Sequence, residues 1–128
     1  MTLRRISLWL PPLVYMAVIY YFSSQSQPMP QITAHVWDKL LHTIEYTGLA
    51  VLLFRAVSGE GLGLWTAAAA TVVLVSAYGA SDEWHQMFVP MRSSDVYDWL
   101  TDTLAGAIGA AVSVAFAHNV QRRNRRTR

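Results

Sequence analysis

Four long apolar stretches restrict this chain of 128 residues more than any other feature. They cover residues 6–22, 40–57, 62–80 and 99–116. A helix crosses a bilayer with about 20 mainly apolar residues, and the usable range is roughly 17–25. Charged residues make up only 14% of the chain, whereas about 25% is usual in a soluble globular domain. We therefore predict an all-α integral membrane protein, a four-helix transmembrane bundle within residues 1–120, with a small soluble bundle of very apolar helices as the alternative.

Lysine and arginine are divided unequally between the two ends of these stretches. One end has only Lys39 and Arg92. The other end has the arginine-rich segment 121–128 and three further arginines, which are Arg4, Arg5 and Arg55. Cytoplasmic loops of membrane proteins are enriched in lysine and arginine, so we predict that both termini are cytoplasmic. A basic tail beside a membrane span is typical of an anchor on anionic lipid, and no nucleic-acid partner is expected.

Ionisable residues concentrate at the other, outward ends of the second, third and fourth stretches. Residues three, four or seven positions apart share one face of a helix. The spacing places them in three stripes, which are Asp38, His42 and Glu45; Asp82, His85 and Gln86; and Asp95, Asp98 and Asp102. A charged side chain deep in a bilayer costs roughly 2.5–3.5 kcal/mol, so such side chains usually face one another or a cavity. We expect the three stripes to converge on one polar site.

The predicted site has more acids than bases. Seven carboxylates stand against two cations there, which leaves room for protons, a metal ion or a cationic partner. We predict that Lys39 and Arg92 contact an anion, that Glu45 and Asp98 orient them, and that His42 is a proton donor or ligand. The candidate metal ligands are His42, Glu45, Asp82 and His85, and no cofactor is specified. The chain has no cysteine, which excludes thiolate ligands and disulfides.

Each of these residues also has a purely structural interpretation. Asp38 fits the first turn of the second helix, and Asp82 or Asp95 fits an N-cap. Lys39 and His42 also fit side chains that extend toward the membrane surface or bond to a neighbouring helix. Small residues on the third and fourth stretches, which are Ala67–Ala70, Ala105, Gly106, Gly109 and Ala110, predict that these two helices pack closely.

Two segments together resemble the VanZ-like family of small bacterial membrane proteins. They are DKLLHTIEYTGLAVLLFRA and SDEWHQMFVPMRSSDVYDWLTDTLAGAIGA, and the resemblance covers roughly residues 15–112. It implies a multi-pass protein of the bacterial cytoplasmic membrane. The implied site residues are Asp38, Lys39, His42, Glu45, Tyr46, Asp82, Glu83, Gln86, Pro90, Arg92, Asp98 and Asp102. Two positions depart from the family pattern: Met91 replaces the usual glycine, which indicates a less tight turn, and Asp102 replaces a common asparagine.

The resemblance leaves the biochemical role open. The namesake of the family is associated with low-level resistance to the glycopeptide teicoplanin, and the family has no established reaction. The first hypothesis is that the polar site binds a cell-envelope lipid, a lipid-linked precursor or a lipoglycopeptide, with a role in glycopeptide resistance or envelope maintenance. The alternative is a membrane-embedded, metal-dependent hydrolase or transferase, and a proton-coupled transporter ranks third. Membrane lipids are expected partners, and a homodimer is left open.

Overall fold

The computed structural model describes the backbone of residues 2–26 and 31–127, with side chains for 2–26 and 39–127. Four helices account for nearly all of it, namely α1 (Leu3–Ser23), α2 (Gln31–Gly59), α3 (Leu64–Gln86) and α4 (Val96–Arg126). Each contains an apolar segment long enough to cross a membrane, and in α2 this segment is Lys39–Gly59. The all-α fold and the four-span bundle predicted from the sequence are confirmed.

The core forms where α2, α3 and α4 meet, and α1 packs mainly on α2. Tyr46, Leu49, Val75 and Ala105 are buried together at the centre. Gly106 lets α4 approach α3 closely, because a Cβ atom at this position would lie 2.6 Å from Cγ1 of Val75. The predicted close packing of the third and fourth spans is therefore confirmed. Helix α4 also packs extensively on α2, which the sequence did not indicate.

All four helices extend beyond the apolar stretches that predict them, and the extensions of α3 and α4 bear on the polar residues. Helix α3 continues to Gln86, six residues past the predicted stretch, so the acidic motif after position 80 is helical. Helix α4 begins at Val96, where the carboxylate of Asp95 accepts a hydrogen bond from the backbone N–H of Tyr97 at 2.9 Å. This confirms Asp95 as an N-cap. At its other end α4 continues to Arg126 and includes most of the basic segment 121–128.

The connection between α3 and α4 contains a tight turn at Met91. Met91 has φ 64°, in the left-handed region that favours glycine, and the N–H of Arg92 bonds to the carbonyl of Val89 at 3.2 Å. This position carries methionine where the family pattern has glycine, and the backbone keeps the conformation that suits glycine. The less tight turn expected from the methionine does not form.

The opposite end of the bundle joins the start of α1 to the end of α2, and we call it the terminal end. The guanidinium of Arg4 donates to the carbonyl of Gly59 at 2.7 Å, and Arg5 pairs with Glu60 at 3.0 Å. The indole of Trp9 also donates to Glu60 at 2.9 Å. This hydrogen bond, together with the charge of Arg5, lowers the pKa of Glu60 below its ordinary value. These contacts bring the basic start of α1 and the α2–α3 connection to one end.

Candidate functional site

The polar residues lie at the end of the bundle where α1 and α3 finish and α2 and α4 start, and we call it the site end. Two bridges connect α2 to α4 there, one helical turn apart. Nζ of Lys39 lies 2.9 Å from Oδ1 of Asp98, at partly exposed positions. Nδ1 of His42 lies 3.0 Å from Oδ1 of Asp102, and both side chains are buried. The spacing i, i+3 on α2 matches i, i+4 on α4, so each pair meets at the same level.

Tyr46 continues this polar layer toward the core. Its ring stacks on the imidazole of His42, with the ring centroids 5.9 Å apart and the planes 9° from parallel. Its hydroxyl donates to Oδ2 of Asp82 on α3 at 3.3 Å. The residue is fully buried, and it connects the α2–α4 bridges to the acids of α3.

The last turns of α3 contact the end of α1 and the start of α4. The amide of Gln86 donates to Oδ2 of Asp82 at 3.2 Å and to the hydroxyl of Ser23 at 3.1 Å. Oε2 of Glu83 accepts the N–H of Asp95 at 2.9 Å, just before α4 begins. Asp82, Glu83 and Gln86 are all buried. Hydrogen bonds to α1, α2 and the start of α4 therefore hold the polar end of α3 inside the bundle.

Arg92 binds the end of α1. Its guanidinium donates to the carbonyls of Gln25 at 3.2 Å and Phe22 at 3.3 Å. The last carbonyls of a helix have no partner within the helix, and a cation near them also interacts favourably with the helix dipole. The sequence predicts that the carboxylates of Glu45 and Asp98 orient the two cations. Asp98 does contact Lys39, whereas the contacts of Arg92 are with main-chain carbonyls.

A cavity of about 380 Å³ lies at the site end between α1, α2 and α3, and we call it the site cavity. Its charged or titratable lining consists of His42, Glu45, Asp82 and Arg92. The remaining described lining residues are Ile19, Phe22, Ser23, Gln25, Leu41 and Gln86. Phe22 and Leu41 are also about half exposed on the outside of the bundle, so the cavity borders the surface that faces lipid.

A second grouping lies deeper, between α2, α3 and α4. His42, Glu83 and Asp102 each offer a ligand atom, and these atoms lie within 4.8 Å of one another. All three residues are buried. Oε1 of Glu83 and Oδ2 of Asp102 have no hydrogen-bond partner among the described residues. We call these three residues the His42–Glu83–Asp102 group.

The structure brings most of the predicted site residues together. Lys39, His42, Tyr46, Asp98 and Asp102 form the α2–α4 side. Asp82, Glu83 and Gln86 form the α3 side, and Glu45 and Arg92 line the site cavity. Of the sequence-based metal candidates, His42 belongs to the three-residue group, whereas Glu45, Asp82 and His85 are outside it. The side chain of Asp38 lies outside the described residues.

His85 does not line the site cavity, although Asp82 borders both the site cavity and the cavity that His85 lines. Its ring lies 4.3 Å from the ring of Tyr20, and it lines a different cavity of about 280 Å³ with Tyr78 and Phe88. Sequence reasoning also missed the contribution of α1, whose Ser23 accepts from Gln86 and whose terminal carbonyls bind Arg92. The available signal was the polar sequence Ser23–Gln25 directly after an apolar stretch.

Comparison with known proteins identifies the family. A family model described as VanZ/LLP1 matches residues 3–117. The chain belongs to the VanZ/LLP1 family. Comparisons with curated proteins and with solved structures gave no match.

The VanZ/LLP1 match extends over α1, α2, α3 and most of α4. It therefore contains both bridges, the site cavity and the His42–Glu83–Asp102 group. Family membership and four apolar helices together make this chain a VanZ-like, multi-pass membrane protein.

Proposed function

We propose that this VanZ/LLP1 protein binds the headgroup of a cell-envelope phospholipid in the site cavity. The observation that carries the proposal is a mixed-charge cavity beside the lipid-facing surface. Arg92 and Ser23 offer donors for phosphate oxygens, whereas Glu45 and Asp82 offer acceptors for hydroxyl or ammonium groups. Phe22 and Leu41 provide an apolar path for an acyl chain. Such a cavity suits a headgroup that contains both phosphate and hydrogen-bond donors.

The cavity volume favours the smaller of two ligands in the first hypothesis, a phospholipid headgroup over a lipoglycopeptide. A volume of about 380 Å³ is near the lower end of ligand sites, which are about 300–1,000 Å³. It accommodates a phosphate with a small alcohol or amine, which favours such a headgroup over the larger peptide core of a lipoglycopeptide. A role in teicoplanin resistance would therefore arise indirectly, through the lipid that the protein retains or presents.

The test compares two arginines with similar structural contacts. Arg92 donates to carbonyls at the end of α1, and Arg55 donates to the carbonyl of Ser7 near its start at 3.1 Å. Hydrogen bonds to charged groups contribute about 1.5–3 kcal/mol, so Arg92→Gln should weaken phospholipid retention roughly tenfold or more. Arg55→Gln should leave it unchanged. Native mass spectrometry with phosphatidylglycerol, phosphatidylethanolamine and diacylglycerol measures retention.

Two further comparisons sharpen this experiment. Wild-type protein should retain the two phospholipids better than diacylglycerol, and Arg92→Lys should retain more phospholipid than Arg92→Gln because it keeps the charge. Equal retention by the Arg92→Gln and Arg55→Gln variants would refute headgroup binding. The same variants test resistance: we expect expression of wild type and of Arg55→Gln, but not of Arg92→Gln, to reduce teicoplanin susceptibility relative to vancomycin. Identical susceptibility in all three strains would reject the link to resistance.

The proposal also places the protein in the bacterial cytoplasmic membrane with both termini in the cytoplasm and the site end outward. Its support is the unequal distribution of arginine and lysine, because the basic start of α1, Arg55 and the tail share the terminal end. The chain has no cysteine, so single cysteines report topology directly. Ser93→Cys, at an exposed position of the site end, should react with an impermeant maleimide in spheroplasts of a bacterial host. Thr127→Cys should react only after permeabilisation, and the reverse pattern would invert the orientation.

A further inference from the structure

Buried carboxylate oxygens without a hydrogen-bond partner among the described residues lie at the site end. Oε1 of Glu83 and Oδ2 of Asp102 are buried and have no hydrogen-bond partner in the part of the chain with described side chains. The two residues are 5% and 0% exposed. A buried acceptor without a partner destabilises the fold, and a charged one does so more strongly. Here two such oxygens from different helices lie close together, and a cation between them would stabilise both.

The second carboxylate oxygen of each residue already has a contact. Oε2 of Glu83 accepts the N–H of Asp95 at 2.9 Å, and Oδ1 of Asp102 lies 3.0 Å from Nδ1 of His42. Each contact holds its carboxylate in place. A carboxylate fixed by a hydrogen bond at one oxygen leaves the other oxygen oriented for a ligand. Helix α3 has Gly79 next to Asp102, and Oδ2 of Asp102 would lie only 3.2 Å from a Cβ atom there. Asp102 therefore packs closely against α3, the helix that carries Glu83.

We propose that His42, Glu83 and Asp102 bind one divalent transition-metal ion, Zn²⁺ or Mn²⁺. One ligand atom from each residue lies within 4.8 Å of the others, and two ligand atoms of a tetrahedral ion with bonds of about 2.1 Å are about 3.4 Å apart. Side-chain rotations that move each ligand atom by less than about 1 Å would therefore bring all three atoms within bonding distance of one ion. An imidazole with two carboxylates suits these metals better than Ca²⁺ or Mg²⁺, which prefer oxygen ligands alone. The ion would neutralise the two buried carboxylates.

The metal site does not depend on the proposed headgroup binding, although His42 belongs both to the site cavity and to the His42–Glu83–Asp102 group. His42 lines the site cavity and also lies 3.0 Å from Asp102. Arg92 lines the cavity and is not in the metal group. The two proposals therefore predict opposite results for two variants. Arg92→Gln should lose phospholipid and keep the metal, and Glu83→Gln should lose the metal and keep the phospholipid.

Metal analysis of purified protein tests the site. Protein in mild detergent is stripped with a chelator, dialysed against Zn²⁺ or Mn²⁺ and assayed for bound metal, with electron paramagnetic resonance for Mn²⁺. We expect one ion per chain. Glu83→Gln and Asp102→Asn should each weaken binding by at least about tenfold, since even indirect contacts to a metal contribute 10–100-fold. His85→Gln is the matched control, because this histidine follows Glu83 by two residues and faces another cavity.

Every outcome bears on the proposal. One ion per chain that depends on Glu83 and Asp102 but not on His85 supports it. Binding that is absent, that is lost with His85→Gln, or that occurs only with Mg²⁺ overturns it. If a variant fails to fold, wild-type protein still decides: a rise in apparent Tm when Zn²⁺ or Mn²⁺ is added after chelation supports the site, and an unchanged Tm overturns it.

Discussion

Asp102→Ala is expected to lower the free energy of unfolding by about 1–3 kcal/mol, because it removes a buried hydrogen-bond partner of His42. Asp102 is fully buried, and its carboxylate lies 3.0 Å from the imidazole of His42. Its loss also leaves an unfilled space against Gly79. The measurement is reversible unfolding by dodecyl sulfate in mixed micelles, followed by circular dichroism. Chelator is present throughout, so that no bound metal contributes to stability.

A double-mutant cycle separates the pair from the packing. Interacting neighbours show coupling energies of about 0.5–3 kcal/mol, whereas hydrogen bonds between membrane helices average about 0.6 kcal/mol. We expect His42→Ala and Asp102→Ala to couple by at least about 1 kcal/mol, because the pair is dry and one member is an acid. Lys39 and Asp98 provide the matched control, since they join the same two helices one turn away.

The control pair is more exposed to solvent. The side chains of Lys39 and Asp98 are 40% and 14% exposed, against 8% and 0% for His42 and Asp102. Exposed pairs contribute about 0.2–1 kcal/mol, because solvent screens them. A coupling at His42–Asp102 no larger than that at Lys39–Asp98 would show that burial does not strengthen the inner bridge.

The membrane bundle could be predicted because hydropathy is a local property of the sequence. The end of α3 could not be located in this way. The apolar stretch ends near residue 80, whereas the helix continues through Asp82 and Glu83 and ends at Gln86. These polar side chains remain buried because Tyr46, Asp95 and Ser23 bond to them. All three partners are distant in sequence or lie on another element, so no local pattern contains the information.

The sequence predicts which helix faces carry the site residues, but it does not predict which residues contact each other. Helical spacing placed His42 and Asp102 on polar stripes at similar depth, and the structure joins them. Spacing did not show which stripe faces which, because that depends on how α2 and α4 are aligned. Arg92 illustrates a second limit. Its partners are the terminal carbonyls of α1, which every helix has and no side-chain pattern reveals.

Gly109 controls the alignment of α2 and α4, and Gly109→Ala is expected to lower the free energy of unfolding by about 1–3 kcal/mol. A Cβ atom there would lie 2.7 Å from the carbonyl oxygen of Thr47 and 2.7 Å from Cβ of Ala50. Neither atom can move away by a side-chain rotation, so α2 itself must shift. Alanine favours the helical backbone over glycine by up to about 1 kcal/mol, which opposes the loss without cancelling it. The measurement is the same dodecyl sulfate titration.

Gly48→Ala is the matched control for this steric effect. Gly48 is also inside a helix, and a Cβ atom there would lie 2.8 Å from the hydroxyl oxygen of Tyr15. That atom is the far end of a flexible side chain, so it can move aside while both helices stay in place. Gly48→Ala should therefore cost much less than Gly109→Ala, although both gain the same helix preference. Losses that agree within about 0.5 kcal/mol, the usual spread between independent sites, would mean that α4 does not approach the main chain of α2 as closely as described. The close approach of α2 and α4 would then not explain why the two bridges between these helices meet at matching levels.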